Sequence, residues 1–396
     1  MESNKLHEYR NYKQVEKLIN LSNYRVIAFL DVFDDLSSKG KKIKKENYLV
    51  DGDYAIIDQG NNDIAGYTND SHGLYDNIPA IIFGDHTRCI KHIDFPFFLG
   101  ADGVKLLKNK LGEKHANTKY LYYYLLSVDI PNTGYNRHFK FLKELLIPLP
   151  PIQTQQKIVE VLDKSQALID QRKEQIELMD ELIQSTFYEM FGDPVKNPKG
   201  WEEEKLAKFI DFITSGSRGW AKYYSNEGEL FIRIQNVKNG KLNFESKQYV
   251  EAPKTQEANR TKVKKDDLII SITADLGRTA VVDESTEIYG AYINQHLCLL
   301  RLKKSIDPKY VSYYIESSGG KTQVQKLNQV GVKSGLNFNS IKALNLFVPP
   351  IALQNQFAEI VQKIEAQKQL MQESLVEMEN NYNGLMQRAF KGELDF

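Results

Sequence analysis

The chain has 396 residues, 41% hydrophobic and 26% charged, with 52 basic side chains against 52 acidic ones. That length suits two or three domains of about 100–200 residues; no run of about 18 apolar residues marks a membrane span, and Met1-Glu2-Ser3-Asn4-Lys5 does not open a secretory leader. Zero net charge argues against a simple stand-alone nucleic-acid binder, which is usually basic, while the two cysteines, Cys89 and Cys298, fit a reducing cytoplasm and no disulfide framework.

Residues 1–149 form a first block. Polar residues dominate up to Asn23, with Val15, Leu18 and Ile19 on a short helix. Tyr24–Leu30 reads as a strand, and Lys39–Lys45 as a basic loop. In that loop Lys41 and Lys42 are either solvated or phosphate contacts. Strands follow at 54–57, 80–83 and 95–99, punctuated by Gly, Asn and Asp. Tyr120–Leu126 reads as a buried helix.

Residues 150–193 open with Pro150-Pro151-Ile152 and continue as one long helix to Phe191. A second copy starts at Pro349-Pro350-Ile351, 199 residues on, fills 349–396 and reads as helix to Phe390. Each copy carries apolar residues on two seven-residue lines, the pattern of a coiled-coil seam. In the first, Leu162, Ile169, Ile176, Ile183 and Met190 make one line, Ile158 and Met179 lie on the other, and Val161, Leu168 and Leu182 widen the stripe. In the second, Phe357, Ile364, Met371, Met378 and Leu385 make one line and Val361, Leu375 and Ala389 the other. Arg172 and Lys368 break the lines. Each helix alone would leave a stripe in water, so the two are expected to pair, antiparallel, with Gly192 and Gly392 as stops.

Residues 194–348 form a second block: a loop into a short helix, then strands at 230–234, 268–272, 279–282 and 297–302. The helix Lys309-Tyr310-Val311-Ser312-Tyr313-Tyr314-Ile315 mirrors Lys119-Tyr120-Leu121-Tyr122-Tyr123-Tyr124-Leu125. The predicted fold class is α/β (α+β): two globular domains and two long antiparallel helices, in a pseudo-two-fold internal repeat.

No catalytic centre is visible. Gly319-Gly320-Lys321-Thr322 ends like a phosphate-binding loop, but Ile315 stands where that motif needs glycine, and a helix rather than a strand precedes it. His86, Cys89 and His92 lack a further ligand pair at metal-site spacing. The two Pro-Pro pairs follow Leu149 and Val348, so neither makes an Asn/Asp-Pro-Pro-aromatic loop. Binding chemistry is more abundant. In the second block Arg218 and an exposed-prone Trp220 lie in a glycine-flanked loop, followed by Arg233, Gln235 and Asn236. In the first, Gln59, Asn61, His86 and Arg88 offer similar groups. Arg suits guanine edges, Asn and Gln suit adenine, and Lys suits phosphate; for each residue a polar strand end is the bland alternative. Arg137-His138 and Lys333-Ser334, just before each long helix, are the strongest phosphate or base-edge candidates.

These residues together resemble the specificity (S) subunits of type I restriction-modification systems, over essentially the whole chain. The resemblance rests on the duplicated Pro148-Leu149-Pro150-Pro151-Ile152…Gln155 and Phe347-Val348-Pro349-Pro350-Ile351…Gln354, and on the Phe-Gly-Asp-Pro (191–194) and Phe-Lys-Gly-Glu-Leu (390–394) endings. Within the blocks, 57–60, 64–68 and 83–88 look like one class of target-recognition domain, and 216–224 with 293–296 like another. The resemblance implies that each block reads one half of an asymmetric, bipartite double-stranded DNA target. It implies that the helices form a spacer and dock two methyltransferase (M) subunits, with nuclease-translocase (R) subunits in the larger complex. Adenine N6 methylation with S-adenosylmethionine and ATP-driven, Mg2+-dependent cleavage would then belong to those partners, with no cofactor in this chain. Such partners would also supply much of the phosphate clamp that a neutral chain lacks. The competing reading is a stand-alone DNA-binding or scaffold protein that oligomerises through its helices. A helix of about 40 residues is about 60 Å long, enough to address half-sites about one DNA turn apart.

Overall fold

The structure is a computed structural model that describes residues 24–100, 103–328 and 335–394. The short helix expected at Val15, Leu18 and Ile19, and the candidates Lys333 and Ser334, lie outside the described residues. The chain divides into two units: residues 1–173 with 373–396, and residues 174–372. Each unit therefore takes one block and a part of both long helices.

Unit 1 runs β1 (Arg25–Ala28), α1 (Phe29–Val32), β2 (Phe33–Asp35), β3 (Tyr54–Ile57), β4 (Gly66–Thr68), β5 (Ala80–Gly84), β6 (Ile90–Ile93), β7 (Phe97–Leu99), β8 (Val104–Asn109), α2 (Thr118–Ser127), α3 (Phe139–Leu142) and β9 (Leu146–Leu149), then the start of α4 (Ile152–Phe191). The strand expected over Tyr24–Leu30 stops at Ala28, where Phe29 turns the chain into α1 and buries its ring beside Phe33. Strands β2-β8-β5-β6 form an antiparallel sheet, with Ile81 opposite Leu107 and Ile82 opposite Lys91. A second sheet is β4-β3-β7, in which β3 and β7 are parallel and Ile56 faces Phe98. Ile57, Ala80, Ile82, Phe97 and Leu99 fill a core between strands.

Unit 2 continues with β10 (Glu203–Lys205), β11 (Ile210–Ser215), β12 (Tyr224–Ser225), β13 (Glu229–Ile232), β14 (Val237–Lys238), β15 (Lys241–Leu242), β16 (Tyr249–Val250), α5 (Gln256–Thr261), β17 (Leu268–Ser271), β18 (Thr279–Val281), α6 (Glu284–Tyr289), β19 (Ala291–Ile293), β20 (Leu297–Leu302), α7 (Pro308–Glu316), α8 (Ser318–Leu327), α9 (Phe338–Lys342), β21 (Asn345–Phe347) and the start of α10 (Ile351–Phe390). The helix expected after Trp201 is one 3-10 turn, Leu206–Phe209, preceded by β10. The antiparallel sheet repeats the order of its unit 1 counterpart, and the second sheet does so with an added edge strand, β12. Strands β11-β20-β17-β18 are antiparallel, and β12-β16-β13-β19 contains one parallel pair, β13 with β19. The hairpin β14–β15 is an addition to unit 2.

In both units the tyrosine-rich helix fixes its block to a long helix through equivalent atoms. Asn117 caps α2 by accepting from the Tyr120 N–H at 2.9 Å, and Asp307 caps α7 through Tyr310 at 2.9 Å. The backbone N–H of each cap residue donates at 2.9 Å to a buried glutamine, Gln155 in unit 1 and Gln354 in unit 2. Those side chains then donate to Pro150 O at 2.8 Å and Pro349 O at 2.7 Å. The Tyr120 and Tyr310 hydroxyls close the joint on Pro148 O and Phe347 O, both at 2.7 Å. Lys119 pairs with Asp163 and Lys309 with Glu365.

The seven-residue lines form the predicted seam. In unit 1, Ile158 and Leu162 near the start of α4 share a core with Met386, Ala389 and Phe390 at the end of α10. In unit 2, Ile183, Phe187 and Phe191 at the end of α4 meet Phe357 and Val361 at the start of α10. The helices are therefore antiparallel within each unit. Ile169 is buried, and Ile176, Ile364, Met371 and Met378 are half-buried. Lys368 lies in the seam of unit 2 and its Nζ reaches Asp180 at 2.6 Å. Leu168 and Leu182, expected to widen the stripe, are 56% and 45% exposed. A two-helix pair covers only a narrow stripe, so flanking positions face outward. Gly192 ends α4 at φ +84°, its N–H bonding Tyr188 O at 2.8 Å. Gly392 ends α10 at φ +69°, with Glu393 N reaching Arg388 O at 3.0 Å. Among the described residues no helix is long and apolar enough to cross a membrane.

Candidate nucleic-acid interface

Each unit gathers its candidate loops at the carboxyl ends of the single parallel strand pair found among its described residues. In unit 1 the pair is β3 and β7, closed where Gly100 N donates to Ile57 O at 2.7 Å. In unit 2 it is β13 and β19, closed where Asn294 N donates to Ile232 O at 3.0 Å. The turn after the central hairpin strand is also tied in both units to the loop before the long helix. His138 N donates to Asp85 O at 2.8 Å, and Leu336 N to Ile272 O at 2.9 Å.

In unit 1 three loops meet: 58–63, 85–89 and 132–138. Gln59 joins the first two, accepting from His86 N at 3.2 Å through its side chain and from the Thr87 hydroxyl at 2.6 Å through its carbonyl. Asp85 joins the second and third, its Oδ1 accepting from Phe139 N at 2.8 Å. His138 was expected on the surface. It is fully buried, with Nδ1 3.0 Å from Asp85 O and Nε2 3.3 Å from Thr133 N, and it braces the loop from inside. Arg88 adopts φ +65° and its Nη1 donates to Ile130 O at 3.0 Å, so it too fastens loops. Lys41 is ion-paired with Asp70, and the Lys42 backbone bridges to Leu99. Asn61 and Arg137 remain exposed on the face, which the tied loops hold in place.

In unit 2 the loops are 215–220, 233–246 and 294–296. Gly216 lies so close to β19 that a Cβ there would stand 2.0 Å from Asn294 O, and Ser217 N donates to Ile293 O at 3.1 Å. Arg218 projects from this turn and is exposed. Trp220, expected to be exposed, is buried, with 3% of its surface exposed, and stacks on Phe231 with centroids 5.7 Å apart. Its inward course follows from Gly219 at φ +69°, which starts a 3-10 turn directed into the domain. Asn236 is likewise buried, accepting from Arg233 N at 3.0 Å and donating to Asn243 O and Ser246 O at 2.8 and 2.9 Å, which uses its polar atoms internally. Arg233 Nη2 and Gln235 Nε2 converge on Ser246 Oγ at 3.1 and 2.9 Å. Gln295 and His296 flank them, the imidazole 2.7 Å from Thr273 Oγ1.

Sequence reasoning passed over Tyr135, Thr273 and Ser246. Only Tyr135 had a usable signal, as an aromatic inside the loop already chosen for Arg137. The segment Gly319-Gly320-Lys321-Thr322 belongs to α8. A Cβ at Gly320 would stand 2.2 Å from Tyr314 O, so this glycine permits a close backbone approach and makes no phosphate cradle. Among the described residues no group of three or more His, Cys, Asp or Glu side chains is placed to hold a metal.

A family model described as type I restriction modification DNA specificity domain matches the chain twice, over residues 22–178 and 198–380. The Escherichia coli EcoR124I/EcoR124II specificity subunit is 24% identical over 353 residues, covering 82% of each chain. The Escherichia coli EcoBI specificity subunit is 21% identical over 333 residues, covering 73% of this chain and 68% of that one. The crystal structure of a type I restriction-modification S subunit from M. genitalium shares the fold at TM-score 0.55 and 18% identity, over 94% of this chain and 97% of that one. With the domain model matching both halves, and two sheet systems of one topology behind it, the chain belongs to the type I restriction modification DNA specificity family.

Proposed function

We propose that this chain is the DNA-specificity subunit of a type I restriction-modification complex. Unit 1 reads one half of a bipartite target and unit 2 the other. The observation that carries the reading is the pairing of one sheet topology with two unlike loop faces. Asn61 and Arg137 stand out in unit 1, whereas unit 2 offers Arg218 and Gln235. Arg, Asn and Gln are the side chains that make paired contacts to purine edges in the major groove. Unlike faces imply unlike half-sites and an asymmetric target.

The long helices set the unread gap and dock two methyltransferase subunits, and nuclease-translocase subunits complete the assembly. Adenine methylation with S-adenosylmethionine, ATP-driven translocation and Mg2+-dependent cleavage are assigned to those partners, since no catalytic motif stands out in this sequence. The rival reading, a scaffold that oligomerises through the same seam, is disfavoured because the seam residues already bury one another within each unit. Outward leucines such as Leu168, Leu178, Leu182 and Leu370 leave apolar surface for docking instead.

Insertion of about one helical turn into α4 tests the ruler. The expected product methylates the same two half-sites with a longer gap. Methylation with the original gap would sink the idea.

A further inference from the structure

The loop that presents Arg137 also presents an aromatic ring. Tyr135 is 90% exposed, yet its ring lies flat on the imidazole of His86, with centroids 4.8 Å apart and planes 9° from parallel. A ring held so far out gains little from folding, and large exposed apolar groups at a polar loop face mark contact sites. His86 beneath it is fixed from several sides. Its N–H donates to Gln59 Oε1 at 3.2 Å, and a Cβ on Gly103 would stand 2.9 Å from its Cδ2. Its Nδ1 is buried with no hydrogen-bond partner among the described residues, an arrangement that costs stability. The loop is braced as well: Gly134 N donates to Asn132 Oδ1 at 3.1 Å and Thr133 N to His138 Nε2 at 3.3 Å.

We infer that Tyr135 is a specificity-determining residue for the unit 1 half-site, that the open face of its ring takes a nucleobase, and that His86 is the positioning residue beneath it. The inference rests on the reading of unit 1 as a DNA-reading domain. A ring already ordered by its stack loses little freedom on binding. Every base offers a π-face to such a ring, and aromatic stacking on a base adds affinity without regard to its edge. Selectivity arises because unstacking a base so that it can meet the open face costs least at flexible pyrimidine–purine steps. Tyr135 thus senses how readily the half-site deforms, while Arg137 and Asn61 remain free to read edges or phosphates.

The test uses the full chain assembled with its methyltransferase partner, and DNA carrying the target defined by methylation mapping. Tyr135→Ala is expected to weaken binding to that target by about ten-fold or more, whereas Tyr135→Phe binds close to wild type. His86→Ala weakens binding less than Tyr135→Ala, and His86→Phe restores it by restoring the stack. Undiminished discrimination at the other half-site shows that each variant is folded. Wild-type binding by Tyr135→Ala, while Arg137→Ala weakens binding, overturns the inference alone. So does a loss in Tyr135→Phe as large as that in Tyr135→Ala, which would make the hydroxyl the contact. Wild-type binding by Tyr135→Ala, Arg137→Ala and Arg218→Ala together overturns both the inference and the reading beneath it.

Discussion

Unit 1 and unit 2 share a sheet order but secure their loops differently. Unit 1 ties three loops with side chains: Gln59 and Asp85 bond across strands, and the buried His138 braces from within. Unit 2 combines a close backbone approach with a side-chain clamp. Gly216 lies against the end of β19, and an arginine–glutamine clamp closes on Ser246. The difference separates two tasks that one domain must perform. The sheets and the glutamine joint at each long helix keep the face in position. The loops differ, because their anchors need not be the same residues.

The largest way to break this comparison is Gly216→Ala. Its Cβ would stand 2.0 Å from Asn294 O and 2.3 Å from Ile293 O, both backbone atoms that cannot swing aside. A cost of about 3 kcal/mol or more is expected, seen as an early unfolding step and loss of selectivity at one half-site only. The paired substitutions Gln155→Ala and Gln354→Ala come next. Each strands a capping N–H and a proline carbonyl inside the protein, for about 2–3 kcal/mol apiece. Denaturant unfolding should give similar losses for the two, and clearly unequal losses would break the equivalence of the joints. Lys368→Met should change stability by less than about 1 kcal/mol. The apolar chain fits the seam, and the lost ion pair involves a half-exposed Asp180.

The smallest expected effect is pH-dependent and confined to unit 1. Burial, with its ring beside Tyr122 of α2, holds the His92 imidazole below its usual 6.5, despite the opposing pull of Asp94. Protons therefore bind the unfolded chain better than the folded one. The contribution of His92 is fully present above about 6.5 and is lost as pH falls below it toward the lowered folded value. His92→Gln should flatten that slope in unfolding curves taken between neutral and mildly acidic pH.

The long helices were legible because a seven-residue apolar repeat and its second copy are local signals. The tyrosine helices were legible for the same reason, since Lys119-Tyr120 and Lys309-Tyr310 stand at matching places. The common sheet order was not legible. The parallel pairing of β3 with β7, or of β13 with β19, joins segments far apart in sequence and leaves no periodic trace. The loops failed in a related way. Trp220, His138 and Asn236 look like surface chemistry in isolation, but their burial is decided by Phe231, Asp85 and Ser246, which lie elsewhere in the chain. Tyr135 was passed over because the ring it stacks on, His86, comes from a different loop.

The central claim is that two equivalent scaffolds read two unlike half-sites at a fixed separation. Mapping methylated adenines in the DNA of cells that carry this chain with its methyltransferase partner tests it most directly. Two different, fixed half-sites with a constant unread gap are the predicted result; a compact motif, a palindrome or no motif would contradict the account.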